Sequence, residues 1–283
     1  LGTAALARAL GARLSGCTAA AGLVVVVNWV GQDYFAPQAL AMCLATGVVV
    51  LLVRSSESRA SALLALALFP AIVVTHQLTP FWLLGLAVLL VILRRAPWWV
   101  AVGMGLVVGA YLLTRLDLAT AYGLFDGFDP LANAQSGAGT LPAPGQQVGG
   151  LFAKASSLLL WASTLAVLVH RAGRLGWKRG WRSPDVLVPG VVAFSPFLLL
   201  AGQSYGGEAN LRVTLYSVIG CCAVLGPALV AALRRGPASA LAAAAWTGLV
   251  LVATAQAAFQ VWSLALIRPE DGAAARELAE ELP

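Results

Sequence analysis

Nine stretches of almost unbroken apolar residues, separated by short polar connections, constrain this chain more than any other feature. They run at approximately 14–30, 36–53, 60–75, 79–93, 97–114, 151–170, 185–202, 212–233 and 238–267. Blocks of this length match a hydrocarbon layer roughly 30 Å thick. Lipid offers no water to satisfy an exposed N–H or C=O, so each block is expected to be a helix that closes its own backbone hydrogen bonds. The expected fold class is therefore all-α: a polytopic integral membrane helical bundle of about nine spans. The blocks at 60–75 and 79–93 are short, and a re-entrant hairpin is the alternative for that pair. Only 11% of residues are charged, against about 25% in an ordinary soluble domain, which excludes a water-soluble reading.

Charge gives the expected orientation. The net charge is +6, but the basic residues lie between apolar blocks and form no contiguous basic surface, so no nucleic acid partner is expected. With Arg8 and Arg13 in the cytoplasm and strict alternation afterwards, 13 of the 18 Lys and Arg residues fall inside. Alternate loops of a membrane protein show this asymmetry. The expected localisation is the cell membrane, multi-pass, with a cytoplasmic amino terminus and a non-cytoplasmic carboxyl tail. The domain reading is a single transmembrane helical domain over 1–267, followed by an acidic tail at 268–283. The chain begins at Leu1, with no complete signal peptide before the first block, so the amino-terminal part of a longer protein is expected to be missing. Cys17, Cys43, Cys221 and Cys222 lie inside apolar blocks without metal-site or disulfide spacing, and read as small packing residues.

Alternation gathers the polar residues on the non-cytoplasmic face. The first corner reads Asn28-Trp29-Val30-Gly31-Gln32-Asp33-Tyr34-Phe35-Ala36-Pro37-Gln38. Its aromatic residues Trp29, Tyr34 and Phe35 suit interfacial anchors, whereas Asp33 at a membrane boundary is solvated, paired or functional. The second corner supplies His76 and Gln77 between two threonines, closed by Pro80. His76 is either a hydrogen-bonded structural residue or, when protonated, a contact for a substrate phosphate. The third corner, Gln203-Ser204-Tyr205-Gly206-Gly207-Glu208-Ala209-Asn210-Leu211-Arg212, puts a guanidinium at the start of a span. That placement costs a few kcal/mol unless the group is paired or solvated, so either a Glu208–Arg212 pair or a phosphate clamp is expected.

Other polar groups read more simply. Asp117, Asp126 and Asp129 in the long exterior loop match no coordination spacing and are expected to be solvated acids. No cofactor is expected, with a divalent cation left open for those acids. The basic run 171–182, with Trp177 and Trp181, reads as a topology determinant or as a surface for anionic headgroups. His170 reads as a solvated cap.

With the Gly31-Gln32-Asp33-Tyr34-Phe35-Ala36-Pro37-Gln38-Ala39-Leu40, His76-Gln77-Leu78-Thr79-Pro80 and Gly206-Gly207-Glu208-Ala209-Asn210-Leu211-Arg212 segments in view, the chain resembles the transmembrane part of bacterial, actinobacterial-like envelope-glycan proteins, most closely GT-C type glycosyltransferases. That resemblance implies a polyprenyl-phosphate-linked sugar as substrate at the exterior membrane face. It implies Asp33 as catalytic base, with Gln32, Tyr34, His76, Gln77, Glu208 and Arg212 as substrate-binding residues. In such proteins the early acidic loop follows the first span, whereas this chain starts later, which leaves Asp33 open to being an auxiliary residue. A lipid-linked oligosaccharide polymerase or ligase fits the same exterior face. A transporter or flippase of such lipids, or a structural subunit, is the alternative of a different class. The sequence leaves the oligomeric state open.

Overall fold

A computed structural model describes residues 1–30, 37–117, 144–202, 209–265, 272 and 277. These residues form helices and connections, with no strand among them. In chain order the helices are α1 (Gly2–Ala9), α2 (Leu14–Val27), α3 (Pro37–Arg54), α4 (Arg59–Thr75), α5 (Thr79–Ile92) and α6 (Trp98–Leu113). They continue with α7 (Pro144–Arg174), the single turn α8 (Trp177–Gly180), α9 (Pro184–Phe194) with a 3-10 extension Ser195–Ala201, α10 (Ala209–Arg235) and α11 (Pro237–Ala265).

Every apolar block of the sequence coincides with one of these helices. Five are long and apolar enough to cross a membrane: α3, α7, α9 with its extension, α10 and α11. The other four, α2, α4, α5 and α6, are apolar but between 10 and 17 residues long. At about 1.5 Å per residue, the 14 residues of α5 cover roughly 21 Å. The largest boundary difference is at α7, which begins at Pro144 although its apolar block starts near 151. Large side chains such as Leu106, 68% exposed, and Leu249, 58% exposed, line the outside of the bundle, as a lipid-facing surface requires.

α10 is the axis of the bundle. Residues 213–226 are buried without interruption. α2 lies against α10 in the opposite direction: Gly16 faces Pro227 near one end, while Trp29, just past α2, shares Ser157 with Thr214 near the other. α7 runs parallel to α10, pairing Ser157 with Thr214, Trp161 with Ser217 and Arg171 with Val224. Glycine makes these approaches possible. A Cβ on Gly220 would stand 2.7 Å from the Ala193 Cα of α9, and one on Gly226 would stand 2.6 Å from the Ala20 Cα of α2. Lipid tails are as apolar as leucine, so close backbone packing and interhelical hydrogen bonds must hold the helices together.

Four tryptophans provide such bonds, each donating its indole N–H to a serine on another part of the chain. Trp29 reaches Ser157 at 3.3 Å, Trp82 reaches Ser195 at 2.9 Å, Trp161 reaches Ser217 at 2.7 Å and Trp246 reaches Ser163 at 2.8 Å. Trp29 is therefore no interfacial anchor: it is 8% exposed, because burial in the bundle gives its N–H a partner that a lipid-facing position lacks. Cys17, Cys221 and Cys222 are buried packing residues as expected, whereas Cys43 is exposed.

Candidate functional site

The start of α10 and the turn between α4 and α5 meet at one end of the bundle, and local backbone chemistry explains the geometry there. α4 stops at Thr75, and His76 leaves the helix with extended φ and ψ of −147° and 140°. α5 then begins with N–H groups that have no partner inside the helix. His76 supplies it: its Nδ1 accepts from the N–H of Leu78 and of Thr79, both at 3.3 Å. Pro80, in the first turn of α5, has no N–H to satisfy.

Those two backbone donors fix the state of the ring. An Nδ1 that accepts carries no proton, so in the neutral imidazole the proton sits on Nε2. The Thr79 hydroxyl, 2.9 Å from Nδ1, must then donate to it, and Tyr216 Oη, 2.9 Å from Thr79 Oγ1, donates in turn to Thr79. The chain of bonds runs from Tyr216 through Thr79 to His76. Tyr216 and Thr79 have no exposed surface, and Trp82 stacks on Tyr216 with ring centroids 4.7 Å apart and planes 9° from parallel. Ser195 holds Trp82 from the other side.

Arg212 stands one helical turn before Tyr216 on α10, half-buried, on the face that includes Tyr216. Its charge acts on His76. Burial first, and the Arg212 guanidinium second, lower the His76 pKa from 6.5 to about 4. At neutral pH the ring is uncharged, which agrees with an accepting Nδ1 and an Nε2–H free of the capping bonds.

Of the residues singled out from the sequence, His76, Gln77 and Arg212 lie among those described. His76 and Arg212 come together at one bundle end, and Gln77 is exposed on the same turn. Gln32, Asp33, Tyr34 and Glu208 lie outside the described residues, as do Asp126 and Asp129. The described neighbours of that first corner, Asn28, Trp29 and Gln38, flank it. Gln38 is 7% exposed, and its Nε2 has no hydrogen-bond partner among the described residues.

Tyr216 is the polar residue that sequence reading passed over, and Thr79 was noted there only as a flank of His76. Tyr216 sits inside an apolar block, where a lone phenol looks like packing. Its signal is its spacing, four residues after Arg212 and thus above the same face. Among the described residues no three His, Cys, Asp or Glu side chains gather as a metal site would require. No protein-family model, curated protein or solved structure matches the chain.

Proposed function

We propose that this chain is a nine-span membrane glycosyltransferase that takes a polyprenyl-phosphate-linked sugar at the His76 end of the bundle, for assembly of an envelope glycan. The reading rests on one observation: the Arg212 guanidinium acts on a half-buried, neutral His76 whose Nδ1 is engaged in capping α5. A guanidinium supplies a planar fork of donors for phosphate oxygens, and a neutral imidazole with its proton on Nε2 supplies one more. The two cover charge and hydrogen bonding of a phosphate. Repulsion between the two groups is small while His76 is neutral.

In this proposal an acceptor hydroxyl attacks the anomeric carbon of the lipid-linked sugar. Asp33 takes the hydroxyl proton as general base. The bond between the anomeric carbon and the phosphate oxygen breaks, and the polyprenyl phosphate leaves with the electron pair. Arg212 and the His76 Nε2–H stabilise the charge that develops on it. Gln32, Tyr34, Gln77 and Glu208 bind the sugar and its phosphate. The orientation proposed is a cytoplasmic amino terminus, with Arg8, Arg13, Arg171 and Arg234 on the cytoplasmic side and His76 and Arg212 outside. The approach of Arg234 to Ser15 at 3.4 Å supports only the grouping of the basic ends of α2 and α10 on one side.

The test is sugar transfer from a polyprenyl-phosphate donor by the full chain in proteoliposomes. Loss of transfer in Asp33→Asn, and a fall of about 10²-fold or more in Arg212→Ala, is expected if the group stabilises the leaving phosphate. Full activity in Asp33→Asn, His76→Ala and Arg212→Ala together would overturn the proposal.

A further inference from the structure

The opposite end of the bundle contains a second feature that the proposed reaction does not use. There α1, α7, α9 and α10 enclose an open cleft of about 460 Å³. Arg171 and Arg174 project into it from the last turn of α7, and Asp185 from the first turn of α9. Arg8 stands at the rim, its Nη1 3.1 Å from the Ala12 carbonyl that borders the cleft. Two guanidiniums and one carboxylate therefore line the cleft, with Arg8 at its rim adding to the excess of positive charge. The remaining walls are apolar, formed by residues such as Leu10, Leu175, Val224 and Pro227.

Local backbone structure keeps the cleft open. α1 ends in a left-handed glycine, Gly11 at φ +86°, closed by bonds from the Ala12 N–H to the Ala7 carbonyl and from the Gly11 N–H to the Arg8 carbonyl. This turn folds α1 back against α2 and α10. In α10, Pro227 has no N–H, so the Ala223 carbonyl in the cleft wall loses its helical donor. Arg171 reaches the carbonyl of the next residue, Val224, at 3.5 Å.

We propose that this cleft is a binding site for an anionic phospholipid. The arginines take its phosphate, and the apolar wall along α10 takes the first part of an acyl chain. Both halves of the ligand are needed to match the cleft: the guanidiniums ask for phosphate, and the apolar walls next to them ask for hydrocarbon. Basic pockets between membrane helices suit such headgroups. The site is independent of His76 and Arg212, so its failure would leave the proposed reaction untouched.

The experiment is native mass spectrometry of the full chain released from detergent, titrated with phosphatidylglycerol and, in parallel, with phosphatidylcholine. Phosphatidylglycerol should bind more tightly to the wild type. Arg174→Ala, at an exposed position, should weaken it about fivefold, the effect of removing one surface arginine. Asp185→Asn should tighten it by a similar factor, and because it adds affinity it cannot be mistaken for a folding defect. Equal binding of the two lipids, with no change in either variant, would overturn the proposal. Displacement of the lipid by inorganic phosphate at equal concentration would also overturn it, by identifying a site for soluble phosphate that makes no use of the apolar wall.

Discussion

At the scale of single residues, His76 links structure to pH. Its ring is neutral in the folded protein down to about pH 4, because burial and Arg212 oppose a second proton. In an unfolded chain the same ring takes its proton near pH 6.5. The unfolded state therefore binds more protons between those values, so the contribution of His76 to stability is present above pH 6.5 and is lost as the pH falls towards 4. The melting temperature of the detergent-solubilised protein should drop across that window by more in the wild type than in His76→Gln. Identical pH profiles would contradict a ring kept neutral by burial and Arg212. The sequence showed His76 as a polar residue in a turn between two apolar blocks, with a structural role and a phosphate contact both open. It did not show the cap, since that depends on the angle at which α4 hands the chain to α5. Nor did it show Thr79 and Tyr216 as its partners, since their contact joins residues 137 positions apart.

Helix packing explains what the apolar pattern leaves out. α5 and α11 are apolar on all sides, so no stripe in their sequence marks which face is inside. Small residues and tryptophans decide it instead. Gly220→Ala would put a methyl group against the backbone of α9, and separating the two helices to admit it should cost about 1–3 kcal/mol. Gly248→Ala, where nothing stands within 4 Å, should leave stability nearly unchanged, and thermal denaturation of the pair in one detergent compares them. Equal melting temperatures would mean that α9 and α10 do not meet at Gly220. Ser195→Ala leaves the Trp82 indole N–H, 1% exposed, without its acceptor, and a loss of about 1–3 kcal/mol is expected. Because Trp82 supports Tyr216 by stacking, the same change should also raise the Kd for any ligand held by the His76 turn. The helices themselves were legible from the blocks. The early start of α7 was not, because its first turn is built from Pro144, Gly145 and polar residues that read as loop.

At the scale of the whole molecule, the antiparallel course of α2 and α10 and the parallel course of α7 and α10 separate the bundle into two chemically different ends. One carries His76, Thr79 and Arg212; the other carries Arg8, Arg171, Arg174 and Arg234. Alternating charge in the sequence pointed to this division, and the contacts among α2, α7 and α10 agree with it for the ends of those three helices. In the proposed topology, cysteines introduced at Gln77 and at Glu57, both exposed, react with a membrane-impermeant maleimide from opposite faces of a sealed vesicle, in a Cys43→Ser background. Labelling of both from the same face would place α4 as a hairpin arm instead of a span. The most direct test of the central claim is equilibrium binding of a polyprenyl-phosphate sugar to the full chain in lipid nanodiscs at fixed salt, for the wild type and Arg212→Ala. Binding by the wild type, weakened tenfold or more in the variant with its melting temperature preserved, is the predicted result. Equal binding by both proteins, or none by a folded wild type, would contradict a lipid-phosphate site at the His76 end.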